Sequence, residues 1–127
     1  MTYFTDVKDF HVAFGQRVGE KPELPNNDER ILRVNLIAEE IEEYMDAEEN
    51  NDIVEIADAL ADIIYIACGT AVSYGIPLDE IFNEVHRSNM AKLVDGKVLR
   101  RADGKIQKPE GWTAPDIKSI IASKNIT

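Results

Sequence analysis

A chain of 127 residues that is 44% hydrophobic and 30% charged has the size and composition of one globular domain, which excludes a disordered chain and predicts a single hydrophobic core with no internal linker. No apolar run approaches the roughly 18 residues that span a bilayer. The opening MTYFTDVKDF lacks a signal-peptide pattern, and the lone Cys68 excludes an intramolecular disulfide or a thiolate metal cluster, so a soluble cytoplasmic protein with no membrane partner is expected.

The elements read in chain order as helices. Thr5 or Asp6 is expected to cap a short first helix carrying Val7, Phe10, Ala13 and Phe14, ended by Gly15 or Gly19. Residues 20–25 hold two prolines and read as a loop. Asn27 or Asp28 caps a longer helix to about Glu48, in which Val34, Ile37, Ala38, Ile41, Tyr44 and Met45 form one apolar stripe. After a polar connection, Ile53, Ile56, Leu60, Ile63, Ile64 and Ala67 form a second stripe on a helix that lasts to Ser73, before Gly75 and Pro77. Cys68 falls in the apolar part of this helix and is expected to be a buried, inert thiol. Asp79 caps a fourth helix, ending near Lys92, with Ile81, Phe82 and Val85 inward. Asp95-Gly96 and Asp103-Gly104 are turn signals for a loop or small hairpin, and Pro115 or Asp116 starts a last short helix. The expected fold class is therefore all-α, a bundle of four to five helices.

Charge is distributed unevenly along this frame. The net charge is -10, which disfavours a nucleic acid polymer as partner. Between Val34 and His86 there are fourteen Asp or Glu residues and no Lys or Arg, while the remainder has ten acids and fourteen bases. On a helix Glu40 and Glu43 are neighbours, with Glu39 within about 100° of both. On the next helix Glu55, Asp58 and Asp62 share one side, and two such rows facing across a helical hairpin suit a hard cation such as Mg²⁺ or Mn²⁺. The alternative is a pair of solvated helix faces. Against it, solvated faces intersperse Lys or Arg at i+4, which are missing here, and Asp62 is enclosed by Ala59, Ala61, Ile63, Tyr65 and Ile66. The basic run downstream is suited to phosphate contacts.

The segments LIAEEIEEYM and ADALADIIYIACGTA resemble the all-α nucleoside triphosphate pyrophosphohydrolases, the MazG-like and phosphoribosyl-ATP pyrophosphohydrolase-like group, marked by E-E-x-x-E on one helix and E-x-x-D on the next. GIPLDEIFNEVHRSNMAKL and RRADGKIQKPEGWTAPDI are similar to the C-terminal half of a MazG-like branch. Residues 1–127 are thus expected to form one such domain, with a basic C-terminal loop region over 93–115. Glu39, Glu40 and Glu43 match the first motif and Asp62 the end of the second; the Glu expected three residues before Asp62 is Ala59, and Asp58 stands one position earlier. Asp58 is expected to take over as ligand, with Glu55 the alternative in a shifted register.

The resemblance implies metal-dependent cleavage between the α and β phosphates of a nucleoside triphosphate, giving a monophosphate and pyrophosphate, with dUTP or (d)GTP as substrate in nucleotide-pool control. It assigns Glu40, Glu43, Asp58 and Asp62 to a principal Mg²⁺ or Mn²⁺ and Glu39 to a second ion or the attacking water, with two or more ions per site. Glu39 and Glu43 are the expected catalytic carboxylates. Asn89, Lys92, Arg101, Lys105 and Lys108 are expected at phosphate or sugar, although Asn89 equally suits a helix end. His11, Phe10 and Phe14 are expected near the base. A homodimer or homotetramer follows from the same resemblance, with Trp112 in that contact or in the core. The alternatives are a phosphoribosyl-ATP pyrophosphohydrolase and a non-catalytic acidic helical module that binds a metal or a basic partner.

Overall fold

A computed structural model describes residues 1–125 of the chain. Among them are five helices, α1 (Tyr3–Ala13), α2 (Asn27–Glu49), α3 (Ile53–Tyr74), α4 (Leu78–Met90) and α5 (Ile117–Lys124), and two short strands, β1 (Leu93–Val94) and β2 (Lys97–Val98). None of these helices is long and apolar enough to cross a membrane. The chain forms two compact units, one over Met1–Leu78 and a second from Asp79 onward.

In the first unit each helix start has a local cause. Thr2 and Thr5 cap each other, the Thr5 N–H donating to Thr2 Oγ1 at 3.1 Å and the Thr2 N–H to Thr5 Oγ1 at 2.8 Å. This reciprocal box puts the cap of α1 at Thr2, three residues before Thr5 and four before Asp6, the expected caps. Asn26 caps α2 by accepting from the Glu29 N–H at 2.9 Å, so Asn27 and Asp28 lie inside the helix. Asp52 accepts from the N–H groups of Val54 and Glu55 at the start of α3. Gly75 ends α3 in the left-handed conformation with φ 69, and a Cβ there would collide with the Lys21 backbone.

The helices α2 and α3 run antiparallel. Glu29 meets Ser73, Arg33 meets Thr70, and Glu40 and Glu43 meet Asp62, so one number rises as the other falls. Along this seam α2 turns Arg33, Leu36, Ile37, Glu40, Tyr44 and Ala47 inward. Of the apolar stripe expected to face the core, Val34 is 64% exposed and Met45 60%, and Ile41 is exposed too. The second stripe divides likewise: Ile56 and Ile63 are half-buried, but Ile53, Leu60, Ile64 and Ala67 are exposed. The physical reason is that α3 meets α2 through Asp62, Thr70 and Ser73, and α1 through Cys68 and Val72, which leaves these stripe residues outside both contacts. Val7, Cys68 and Val72 form the buried apolar cluster, with Phe4, Val18 and Leu78 against it. Cys68 is buried, as expected.

The second unit is built around hydrogen bonds. The helix α4 begins at Leu78, which places Asp79 inside its first turn instead of at the cap, and Phe82 is 67% exposed instead of inward. The strands pair antiparallel, Leu93 opposite Val98 and Val94 opposite Lys97, across a turn in which Asp95 and Gly96 both have positive φ (50 and 74). That is the conformation an Asp-Gly hairpin turn demands. Asp116 caps α5 by accepting from the Ser119 N–H at 3.1 Å.

Candidate metal centre

The acidic rows of α2 and α3 do not all converge. Glu40, Glu43 and Asp62 each bring one carboxylate oxygen within 4.8 Å of the others. Glu40 and Glu43 are three apart on α2, and the antiparallel register sets Asp62 opposite them. Glu40 and Asp62 are half-buried and Glu43 is exposed, so the group sits at the mouth of the helix seam.

Such a grouping of like charges is unfavourable without a partner. Desolvation pushes the Glu40 carboxyl above its ordinary value, helped by a hydrogen bond with Glu43 and by the charges of Glu43, Asp62 and Asp58. Desolvation also raises Asp62, with Asp58 and Glu43 adding to it. Among the described residues Glu40 Oε2 is a buried side-chain oxygen with no hydrogen-bond partner. An acceptor buried without a donor costs about 1–3 kcal/mol. The chain offers no Lys or Arg from Val34 to His86 to neutralise it. Three carboxylate donors, one of which keeps an unpartnered oxygen, fit a hard divalent cation, and the donor set is that of Mg²⁺ or Mn²⁺.

The other expected ligands are placed differently. Asp58 is exposed, and its charge acts on both Glu40 and Asp62, so it borders the trio. Glu55 lies in the first turn of α3 beside the Asp52 cap. Glu39 is exposed, one residue round the helix from Glu40 and one turn before Glu43. Ala59, three residues before Asp62, is buried with 3% exposure.

His11 is 2% exposed, a core histidine whose Nδ1 lies 2.8 Å from the Arg17 carbonyl, not a surface group. Phe10 stacks on Phe14 at 4.3 Å between ring centres and meets Tyr65 edge-on at 5.7 Å. The remaining expected substrate residues all belong to the second unit. The Lys92 ammonium donates to Asn89 Oδ1 at 3.2 Å and lies 5.6 Å from the Trp112 ring centre, with Lys108 at 4.9 Å. Trp112 itself donates from Nε1 to the Ser88 carbonyl at 2.6 Å. Arg101 pairs with Asp103 at 2.9 Å, and the Lys105 N–H donates to the same carboxylate.

One buried polar group was not anticipated. Arg33 is 4% exposed, its Nε donating to Thr70 Oγ1 at 3.2 Å, and burial lowers its pKa against the opposing charge of Glu29. Ser73 donates to Glu29 at 2.7 Å beside it, and a Cβ on Gly69 would lie 2.6 Å from Arg33 Nη2. The signal in the sequence is heptad spacing: Arg33, Glu40 and Ala47 are seven apart, so one seam carries all three.

The family model described as phosphoribosyl-ATP pyrophosphohydrolase matches residues 7–89, which include every carboxylate of the group. A curated relative, the uncharacterized protein L479 of Acanthamoeba polyphaga mimivirus, is 46% identical over 48 residues, 38% of this chain. The matched stretch spans 19% of that relative's length.

Proposed function

The chain belongs to the phosphoribosyl-ATP pyrophosphohydrolase family, and from that premise we propose that it is a metal-dependent nucleotide pyrophosphohydrolase. In this reading it cleaves a nucleoside triphosphate between its α and β phosphates, to a monophosphate and pyrophosphate. The observation that carries this reading is the convergence of Glu40, Glu43 and Asp62, with one oxygen of Glu40 left unpartnered.

In this reading Glu40, Glu43 and Asp62 hold a divalent cation, Mg²⁺ or Mn²⁺, with Asp58 beside them as a further ligand. A bound ion of this kind supplies Lewis acidity at a phosphate oxygen and lowers the pKa of water. Glu43, exposed at the mouth of the seam, orients the attacking water and accepts its proton, with Glu39 one turn away to hold that water or a second ion. Glu40 and Asp62 are half-buried and desolvated, and among the described residues neither forms an ion pair, which leaves both carboxylates to an ion. Within the second unit Lys92, Arg101, Lys105 and Lys108 are the cations suited to phosphate oxygens, and Asn89 offers a neutral amide suited to a sugar hydroxyl. The exposed apolar stripe on α2 and α3 supports a homodimer or homotetramer.

Phosphoribosyl-ATP is the second reading, and the matched family description favours it. It shares the α–β cleavage and differs in what the site holds beyond the phosphates. The test is a substrate panel of dNTPs, NTPs and phosphoribosyl-ATP with Mg²⁺ or Mn²⁺, scored for monophosphate and pyrophosphate. Turnover that Glu43→Gln and Asp62→Asn each reduce by a factor of about 10² or more, in folded protein, supports the reading. No pyrophosphate from any substrate leaves the non-catalytic acidic module as the better account.

A further inference from the structure

Eleven residues separate Glu29 from Glu40 on α2, and eleven separate Asp62 from Ser73 on α3. The Ser73 hydroxyl donates to Glu29 at 2.7 Å, and Asp62 stands against Glu40 and Glu43 in the same antiparallel register. Between these two contacts Arg33 Nε donates to Thr70 Oγ1 at 3.2 Å, and that hydroxyl donates in turn to the Ile66 carbonyl at 3.1 Å. The helix α3 is shaped for this pair. Arg33 is 4% exposed, and a Cβ on Gly69 would lie 2.6 Å from its Nη2 and 3.1 Å from His11 Nε2, so the guanidinium occupies room that any other residue at 69 would fill.

Apolar contacts have no direction, and by themselves they do not forbid a slip of one helical turn, about 5.4 Å, between the two helices. Such a slip would move Asp62 by more than the 4.8 Å that bounds the three carboxylate oxygens. Without an ion, repulsion among those carboxylates favours the displacement. Hydrogen bonds are directional and break when the helices slide. A buried charged group contributes little net stability, and its best-attested use is to specify register. We propose that Arg33, bonded to Thr70, is a positioning residue of the metal centre: it fixes α2 on α3 so that Glu40 and Glu43 face Asp62 before an ion binds. This role rests on the metal-dependent reading under Proposed function, while its geometry is independent of turnover. Preorganisation of this kind sets the apparent affinity, because a site assembled for part of the time binds in proportion to the assembled fraction.

The experiment is calorimetric titration of the full chain with Mn²⁺ alone, for wild type, Arg33→Met, Thr70→Val and Thr70→Ser, paired with the melting midpoint of each protein without metal. A further variant combines Arg33→Met with Glu29→Gln, which keeps an acceptor for Ser73 and leaves no carboxylate facing a lost cation. Mn²⁺ affinity is expected to fall by about 10–100-fold in Arg33→Met, in the double variant and in Thr70→Val, and to stay within about twofold of wild type in Thr70→Ser, which keeps the hydroxyl. The midpoint of the double variant is expected within about 5 °C of wild type or above it, since replacing buried charges by neutral groups of similar volume is close to neutral. In turnover, the Mn²⁺ concentration for half-maximal rate rises by the same factor as the affinity falls, while the maximal rate changes by less than about threefold, because a bound ion itself draws the carboxylates together. Unchanged Mn²⁺ affinity in Arg33→Met and Thr70→Val, a loss confined to variants that melt well below wild type, or no binding of Mn²⁺ by wild type would overturn the proposal. Mn²⁺ binding that depends on Arg33, without hydrolysis of any triphosphate, would sink the pyrophosphohydrolase reading and leave the positioning role standing. Hydrolysis with a Mn²⁺ affinity indifferent to Arg33 does the reverse.

Discussion

Glu40 holds the sharpest electrostatic conflict in the first unit. Its carboxyl is desolvated, faces three other carboxylates and leaves one oxygen unpartnered. A group whose folded pKa is raised stabilises the fold below its ordinary value of 4.5, and that contribution is lost as pH rises through the raised value. Metal-free protein is therefore expected to melt lower at pH 8 than at pH 5, with Asp62 acting in the same direction. Metal reverses the effect by binding only the folded, ionised group. At a hundredfold excess over its dissociation constant it adds about 2.7 kcal/mol, a rise in melting midpoint on the order of 10 °C. Glu40→Gln should flatten the fall with pH and abolish the response to Mn²⁺. Scanning calorimetry across pH with and without the ion measures both, and a Mn²⁺ response that survives in Glu40→Gln would remove Glu40 from the ligand set. The neighbouring question is the fourth ligand. Asp58 acts on both desolvated carboxyls, whereas Glu55 sits at the start of its helix beside a cap. Asp58→Ala is thus expected to lose activity by a factor of 10 or more and Glu55→Ala by less than about threefold. The opposite ranking in steady-state kinetics would place the second motif in its shifted register.

Among the elements, the carboxylate helices and the Asp-Gly hairpin were legible because each is a local pattern. Glu40 and Glu43 share a face by helical spacing alone, and Asp95-Gly96 carries its own turn conformation. Which face of α2 turns inward was not legible. Val34, Ile41 and Met45 make a better apolar stripe than the seam of Arg33, Glu40 and Ala47 that packs on α3. Hydrophobic periodicity reports that an apolar stripe exists, not what lies against it. The buried Arg33 and His11 were equally hidden, because Gly69 makes their room from a helix distant in sequence. Long-range partners also define α4 and α5. The Glu84 carboxylate accepts from Arg87 at 2.7 Å and from the Asp116 N–H at 2.7 Å, and these bonds hold it at about 2, Arg87 contributing most. A depressed carboxyl pKa stabilises above the ordinary value of 4.5 and loses that contribution as pH falls toward about 2. The α5 backbone amides are therefore expected to lose protection in acid first near Ser119. Glu84→Gln should show the same loss already at neutral pH in hydrogen exchange. Equal protection in both proteins would mean that the Asp116 cap alone holds α5.

At the scale of the molecule, the uncovered stripe and the metal centre lie on the same two helices. Val34, Ile41 and Met45 on α2 and Ile53, Leu60 and Ile64 on α3 are between 45% and 75% exposed. Each such side chain gains about 1.5–3 kcal/mol when fully buried, so leaving all six in water is a heavy cost for a domain whose net stability is about 5–15 kcal/mol. The helices that carry Glu40, Glu43 and Asp62 are held by their own seam, and α3 also by α1, while the stripe faces water. A second copy laid on the stripe would hold both helices along faces that their own seam leaves free, and with them the spacing of the carboxylates. The expected solution species is accordingly a dimer or tetramer of the 14.3 kDa chain. Light scattering after size exclusion gives that mass directly. Ile41→Glu combined with Met45→Lys is expected to shift the species to monomer, since charges placed in a desolvated interface cost several kcal/mol. Neither residue belongs to the carboxylate trio. If the coupling runs as argued, the double variant loses Mn²⁺ affinity and turnover together while keeping its helical circular dichroism. A monomeric wild type, or a monomeric variant with full turnover, would separate the stripe from the site and leave the seam of Arg33, Glu40 and Ala47 as sufficient support for it.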